Sequence, residues 1–175
     1  ATVAPVEARA SFSSVEADIY LVDGKLLTGT LGWVGARIAR LELEGEIGGA
    51  ELPLVVPGLV DLHVHGFGGF DPLEDLNGMA GALARAGTTT FQPTLFPARP
   101  ELLGEQCQAL AAQADPFAPR GGARVAGLHL EGPFVNPARR GALPASWPLQ
   151  PDARAFDGLV QAAGGHLRVL TLAPE

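Results

Sequence analysis

The fold of this chain is decided by the stretch Pro57-Gly58-Leu59-Val60-Asp61-Leu62-His63-Val64-His65, in which polar side chains alternate with apolar ones. Successive residues of a β-strand point to opposite faces of the sheet. Asp61, His63 and His65 therefore share one face, and the apolar residues between them share the other. Imidazole and carboxylate groups on a buried strand cost free energy unless hydrogen bonds or a metal ion satisfy them. The pattern indicates a metal site at the end of a buried strand, and with it hydrolytic chemistry.

The same alternation occurs in a second run, His129-Leu130-Glu131-Gly132-Pro133-Phe134. Leu128 and Leu130 share one face of the predicted strand, while His129 and Glu131 share the other. Glu131 is expected to end this strand at the same edge of the sheet as His65. Histidine nitrogen and carboxylate oxygen are ordinary ligands of zinc, manganese and iron. The residues alone leave open that hydrogen bonds, rather than a metal ion, satisfy the histidines.

Strands and helices alternate after Pro57, which predicts an α/β fold with a parallel sheet and right-handed crossovers. Open doubly wound sheets and closed barrels both fit this alternation. A complete (β/α)8 TIM-like barrel takes about 250 residues, whereas 118 residues (175 − 57) follow Pro57. A barrel would therefore be present as its first half, about four β/α units. The predicted strands cover 59–65, 88–92, 124–130 and 169–173, and the predicted helices cover 73–85, 100–114 and 152–163.

Residues 1–57 have a different pattern, with short β-type runs broken by glycine. Asp23-Gly24, between two such runs, is a hairpin signal. This part is predicted to be a small antiparallel, β-sandwich-like region that precedes a partial barrel over residues 58–175. In the second part, Gly87 is predicted to close the first helix and Asp152 to cap the start of the third.

Composition places the chain among globular proteins, because 47% of its residues are hydrophobic and 18% are charged. A net charge of −7 argues against nucleic acid or an anionic membrane as the main partner. No apolar run approaches the roughly 20 residues that a membrane helix needs. Cys107 is the only cysteine, so no intrachain disulfide can form, which fits a cytoplasmic protein. Cys107 lies on the apolar stripe of a predicted helix, so core packing is its expected role.

Several motifs carry a resemblance to a known family. The stretch that ends in His63-Val64-His65 resembles the hallmark of the amidohydrolase superfamily, in which His-x-His closes the first barrel strand. Gly127-Leu128-His129-Leu130-Glu131-Gly132-Pro133-Phe134, together with Thr171-Leu172-Ala173-Pro174-Glu175, resembles the N-acetylglucosamine-6-phosphate deacetylase family. Gly87-Thr88-Thr89 and Pro93-Thr94-Leu95 match that family too. The resemblance runs to the last residue and corresponds to the N-terminal portion of the family's proteins.

The resemblance implies metal-dependent hydrolysis of the acetamide of N-acetylglucosamine 6-phosphate, which yields glucosamine 6-phosphate and acetate in amino-sugar catabolism. It makes Glu131 the principal metal ligand, with His63 and His65 holding a second ion in members that keep both histidines. One or two divalent ions are thus implied, zinc foremost, with iron or manganese as alternatives. It also implies that backbone near Gly141 and Ala142 contacts the sugar.

Other positions receive supporting roles or depart from the family. His129 and Asp61 are expected to assist the ligands by hydrogen bonding, and Glu175 is expected to line the site. Leu143 stands where family members often carry histidine, which puts sugar contacts at that point in doubt.

The resemblance places the general-base aspartate and two further metal-binding histidines in the second half of the barrel, beyond Glu175. No catalytic residue is therefore assigned within the chain, and the isolated chain is expected to be inactive. The full-length protein is expected to be a homodimer with phosphate contacts across its interface.

Two alternatives stay open. One is another amidohydrolase, of the dihydroorotase or hydantoinase kind, but those families usually use a carboxylated lysine. The only lysine here, Lys25, lies in the small β region, which disfavours that reading. The other is a non-catalytic fragment that binds a metal or a complementary half.

Overall fold

A computed structural model describes residues 11–21, 23–46, 51–114, 121–144 and 150–173. The chain divides into two compact units, residues 1–57 and residues 58–175. None of the helices in the described ranges is long and apolar enough to cross a membrane.

The described residues of the first unit form a four-stranded sheet with the order β3-β2-β1-β4. Its strands are β1 (Phe12–Tyr20), β2 (Leu26–Val34), β3 (Arg37–Glu46) and β4 (Leu54–Val55). The predicted hairpin is confirmed, because β1 and β2 pair antiparallel around Asp23 and Gly24, and Gly24 has a φ of 88°. β3 extends the antiparallel pairing, whereas β4 pairs with β1 in parallel. The sandwich-like character of this unit stays a prediction, and Val22, directly before the turn, lies outside the described residues.

The second unit alternates strands and helices around a parallel sheet with the order β5-β6-β8-β9, and β7 pairs with β6. The predicted α/β fold, with a parallel half-barrel sheet, is therefore confirmed. The strands are β5 (Leu59–Val64), β6 (Thr88–Leu95), β7 (Arg124–Val125), β8 (Leu128–Val135) and β9 (Leu167–Ala173). The helices are α1 (Pro72–Arg85), α2 (Pro100–Ala111) and α3 (Ala153–Ala162), with a 3-10 turn at Pro137–Arg139.

The helix ends follow the capping residues in the sequence. The Asp152 carboxylate accepts hydrogen bonds from the backbone N–H groups of Arg154 and Ala155, at 2.7 and 3.1 Å, so it is the N-cap of α3 as predicted. Gly87 has a φ of 94° directly after the last turn of α1, the left-handed conformation that commonly ends a helix.

One predicted strand is in fact two, because Gly127 bends the chain between β7 and β8. Its φ is 138°, and a Cβ at this position would lie 2.7 Å from the carbonyl oxygen of His166, so only glycine fits. β8 also runs on to Val135, so Glu131 does not end its strand as expected. Regular pairing with β9 nevertheless stops at Glu131, which faces Thr171 before the register shifts.

The core of the second unit lies between the sheet and its helices. Phe91 of β6 and Leu128 and Leu130 of β8 are fully buried there. The helices contribute apolar side chains that share this core: Leu76, Met79 and Leu83 from α1, Leu103, Cys107 and Leu110 from α2, and Leu159 from α3. The apolar side chains that recur at helical spacing therefore form the surface against which the strands pack.

The expectation that β5 is a buried strand is wrong for most of its length. Val60 and Leu62 are 61% and 52% exposed, and only Val64 is buried. In the described part of the chain β5 pairs only with β6, so it is an edge strand whose outer face is largely uncovered. Leu172, on the opposite edge strand β9, is 54% exposed as well.

Cys107 gives a direct test of the core. Burial raises the pKa of its thiol to about 11, and the side chain is inaccessible to solvent. Because the thiolate is the reactive form, alkylation of the native chain at pH 8 should be at least about 100-fold slower than in denaturant. Cys107 is the only cysteine, so labelling followed by mass spectrometry reads this site alone. Equal rates in both states would show that α2 does not pack as described.

Candidate metal centre

Three side chains from two strands meet at the carboxyl edge of the parallel sheet. His63 and His65 come from the end of β5, and Glu131 comes from β8. His65 Nε2 lies 3.0 Å from His63 Nε2 and 3.0 Å from Glu131 Oε2. His63 Nε2 lies 3.8 Å from the same carboxylate oxygen. Among the described residues, these three are the group whose ligand atoms converge closely enough to hold a metal ion.

The three atoms fit ligands of one cation. Two ligand atoms about 2.1 Å from an ion are separated by about 3.0 Å at a right angle and about 3.4 Å at the tetrahedral angle. Two of the observed separations, 3.0 and 3.0 Å, equal the right-angle value, and the third, 3.8 Å, corresponds to an angle of about 130° at the ion. A neutral imidazole has a proton on only one of its nitrogens. A single proton on His65 Nε2 cannot be donated to both Glu131 Oε2 and His63 Nε2 at the same time. A cation between the three atoms would accept a lone pair from each of them.

β6 lies between β5 and β8, and Thr94 is the residue of β6 beneath the cluster. Its hydroxyl oxygen accepts a hydrogen bond from the backbone N–H of Val64 at 3.0 Å. Thr94 Oγ1 is also 3.2 Å from Nδ1 of His129. The side chain is 2% exposed. A single buried hydroxyl therefore links the last residue of β5 to β8, immediately before His65.

The loop after His65 turns back at once. The backbone groups of Phe67 and Phe70 exchange two hydrogen bonds, of 3.0 and 3.1 Å, around Gly68 and Gly69. These two glycines have φ values of 64° and 87°, which a two-residue turn of this type requires. The tight turn reverses the chain directly after His65.

His129 is buried beside the cluster and is held at both ring nitrogens. Nδ1 lies 3.2 Å from Thr94 Oγ1, and Nε2 lies 2.8 Å from Thr171 Oγ1. Its ring meets the His63 ring edge to face, with centroids 4.7 Å apart. Burial lowers the pKa of His129, and the nearby His63 lowers it further. The structure places His129 next to the three converging atoms, with a threonine hydroxyl group at each of its ring nitrogens, and its role in assisting the ligands stays a prediction.

Asp61 contacts the backbone of the cluster, and its role in assisting the ligands stays a prediction. Its Oδ1 accepts a hydrogen bond from the backbone N–H of His63 at 3.1 Å. The carboxylate therefore shapes the chain on the residue that carries the first imidazole, rather than contacting a ring nitrogen.

The predicted sugar-contacting residues lie in a turn that follows β8 and the 3-10 helix. Gly141 and Ala142 are exposed in a turn after the 3-10 helix, and Gly141 has a φ of 59°. Leu143 is buried, and its carbonyl oxygen accepts a hydrogen bond from the Arg140 guanidinium. The described contacts do not join this turn to the three converging side chains. Glu175, expected to line the site, lies outside the described residues.

Sequence reasoning assigned no role to three residues that contact the cluster or its support: Thr94, Phe96 and Thr171. The Phe96 ring stacks on the His65 imidazole with centroids 3.6 Å apart and an interplanar angle of 3°. The period of two that placed His129 and Glu131 on one face also places Thr94 and Phe96 on one face. Extending that count along β6 would have found both residues.

The chain is similar to curated deacetylases, although no protein-family model matches it. Proteins named N-acetylglucosamine-6-phosphate deacetylase from Bacillus subtilis (strain 168) and Homo sapiens are each 34% identical to it, over 164 and 131 residues. A protein from Escherichia coli O157:H7 named N-acetylgalactosamine-6-phosphate deacetylase is 32% identical over 126 residues. These alignments cover 87%, 70% and 70% of this chain, but 39%, 31% and 33% of the relatives. The chain thus spans about two fifths, or less, of the length of these relatives.

A solved structure of similar fold is an aspartate-to-alanine mutant of N-acetyl-D-glucosamine-6-phosphate deacetylase from Mycobacterium smegmatis, in complex with N-acetyl-D-glucosamine-6-phosphate. Its TM-score is 0.75 at 31% identity, over 94% of this chain and 44% of that chain. N-acetylglucosamine-6-phosphate deacetylase from Thermotoga maritima has a TM-score of 0.66 at 25% identity, over 83% of this chain and 39% of that chain.

The Thr94 hydroxyl group is expected to contribute to the free energy of unfolding. Thr94→Val keeps the shape but leaves the buried Val64 N–H without its acceptor, which should lower the free energy of unfolding by about 1–3 kcal/mol. Urea denaturation checks this value. Thr89→Val, the same change at an exposed position of β6, is the control and should stay within about 0.5 kcal/mol of wild type. Equal effects of the two substitutions would remove Thr94 as the link between the strands.

Proposed function

We propose that this chain, a homologue of the N-terminal portion of N-acetylglucosamine-6-phosphate deacetylases, carries the metal-binding part of an enzyme that hydrolyses the acetamide of an amino-sugar phosphate. The observation that carries the proposal is the convergence of His63 Nε2, His65 Nε2 and Glu131 Oε2 at the carboxyl edge of the sheet. Catalytic sites of β/α barrels are built at this edge.

The three side chains would hold a divalent ion, with zinc as the first choice for a set of two imidazoles and a carboxylate. Such an ion supplies Lewis acidity, which polarises an acyl carbonyl and promotes the ionisation of water. Glu131 faces both histidines, so its carboxylate is suited either to one ion or to a pair of ions that share it. His129 and Thr94 keep the backbone and rings around these ligands in place.

The proposed substrate is N-acetylglucosamine 6-phosphate, with glucosamine 6-phosphate and acetate as products. The support is the name of the relatives and the ligand in the solved complex of the Mycobacterium smegmatis protein. N-acetylgalactosamine 6-phosphate is a second candidate, because one relative of similar identity is named for it. The two sugars differ only in the orientation of one hydroxyl group, so a direct comparison of their turnover by the assembled enzyme separates the candidates.

Further parts of the proposal concern sugar contacts and assembly. The exposed turn at Gly141 and Ala142 is proposed to contact the sugar through its backbone. The full-length protein is proposed to be a cytoplasmic homodimer.

We also propose that the 175 residues do not turn over substrate by themselves. The chain spans about two fifths of the relatives' length, and the family's general-base aspartate is expected outside it. In the described residues β5 and β9 each pair on one side only. Apolar side chains are exposed on both strands, as expected where further strands and helices complete the sheet.

Zinc content tests the ligand set. Glu131→Gln removes the negative charge while keeping the size, so zinc affinity should fall by more than about 100-fold, beyond the roughly 10- to 100-fold loss expected for a residue that only supports a ligand. Competition against a chromophoric chelator measures the affinity. Glu105→Gln, the same change at an exposed site on α2, should bind zinc as wild type does. Unchanged affinity in Glu131→Gln would remove Glu131 as a ligand.

Turnover tests the function itself. The purified chain should release no acetate from N-acetylglucosamine 6-phosphate above a zinc-only control. Mixing it with the complementary C-terminal part of the Bacillus subtilis relative should restore release, and the Glu131→Gln chain should fail to do so in the same mixture. Turnover by the isolated chain at about 1 per second or faster, in the usual enzyme range, would refute the proposed incompleteness. Zinc binding without turnover in any mixture would instead favour a non-catalytic metal-binding fragment.

A further inference from the structure

Phe96 lies against the His65 imidazole in a nearly parallel stack. The ring centroids are 3.6 Å apart and the ring planes differ by 3°. Phe96 comes directly after β6 and is 51% exposed, whereas Leu95 before it and Ala98 after it are buried. The backbone of Phe96 is therefore anchored, while its ring is directed away from the core onto a predicted ligand.

His65 lacks the hydrogen bond that usually orients a metal-binding histidine. Such a histidine normally donates its second ring N–H to a carboxylate, a carbonyl oxygen or water. The Nδ1 atom of His65 is buried, and among the described residues it has no hydrogen-bond partner. His129 next to it differs, because threonine hydroxyl groups meet both of its nitrogens.

The ring of His65 also has room to turn on one side. His65 and Phe96 both border a pocket of about 190 Å³ that extends toward Asp71 and Gln106. The torsion that rotates an imidazole about its Cβ–Cγ bond is broad. The Phe96 stack thus covers one face of the His65 ring, in addition to the contacts of Nε2 with His63 and Glu131, and restricts the plane of the ring where a hydrogen bond at Nδ1 is missing.

We propose that Phe96 is a positioning residue that holds the His65 imidazole by stacking, so that Nε2 faces His63 and Glu131. The inference rests on the proposed function, because it takes His65 Nε2 as a metal ligand. It adds that an apolar contact orients the ring of His65, whereas hydrogen bonds orient the ring of His129.

Zinc titration of the full chain tests this role. An aromatic stack contributes an amount that corresponds to about a three- to tenfold change in affinity, so Phe96→Ala should weaken zinc binding by that factor. Phe96→Leu keeps apolar volume without a flat ring and should weaken binding similarly. Phe96→Tyr keeps the ring and should bind zinc as wild type does.

A second readout does not depend on metal. The carbon-bound protons of the His65 imidazole in the metal-free chain should be shifted upfield by the ring current of Phe96. This shift should vanish in Phe96→Ala and Phe96→Leu and persist in Phe96→Tyr. His65 is one of four histidines, so comparison with His65→Asn assigns its signals. Phe156→Ala, which removes an exposed ring from α3, is the matched control and should change neither readout.

The results of these experiments separate the positioning role of Phe96 from the proposed function. Wild-type zinc affinity in folded Phe96→Leu would overturn the positioning role even if zinc binds tightly. An upfield shift of the His65 signal that stays unchanged in that variant would overturn it as well. Absence of zinc binding by the wild-type chain would count against the proposed function. In that case the upfield shift, and its loss in Phe96→Leu, would still decide whether Phe96 holds the ring.

Discussion

Side chains from β5 and β8 must meet across β6, and the candidate site depends on this constraint. Adjacent strands are about 4.8 Å apart, so β5 and β8 are separated by roughly 10 Å across the sheet. His65 and Glu131 close that gap, with Nε2 and Oε2 3.0 Å apart. Parallel strands bring their carboxyl ends to the same edge, and Thr94 of β6 presents a short side chain below the contact.

Two kinds of interaction hold the histidines around this contact. His129 is buried and is held by threonine hydroxyl groups, one from each neighbouring strand. His65 is held on one face by Phe96, and its buried Nδ1 contacts no described partner. Hydrogen bonds fix both the direction and the distance of a group, whereas a stack fixes mainly its plane.

Many features of the fold could be predicted from the sequence because they depend on residues that are close together along the chain. The caps at Asp152 and Gly87 and the turn at Asp23-Gly24 depend on residues a few positions apart, and each is where it was predicted. The boundaries of β8 were less accessible, because Gly127 is required by the distant carbonyl oxygen of His166. The exposure of Val60 and Leu62 was also missed, because the alternation of a strand does not say whether a neighbour covers its face.

The sequence by itself determined which residue types alternate on which strand face, and therefore that His63, His65 and Glu131 point toward one side of a parallel sheet. Only the tertiary structure decided which atoms meet. It placed β6 between the two strands, brought the three ligand-type atoms within 3.8 Å, and assigned Thr94, Thr171 and Phe96 to the groups around them. The physical reason is that periodicity is set by the backbone of one strand. Strand order, register and side-chain packing arise from contacts between segments far apart in the chain.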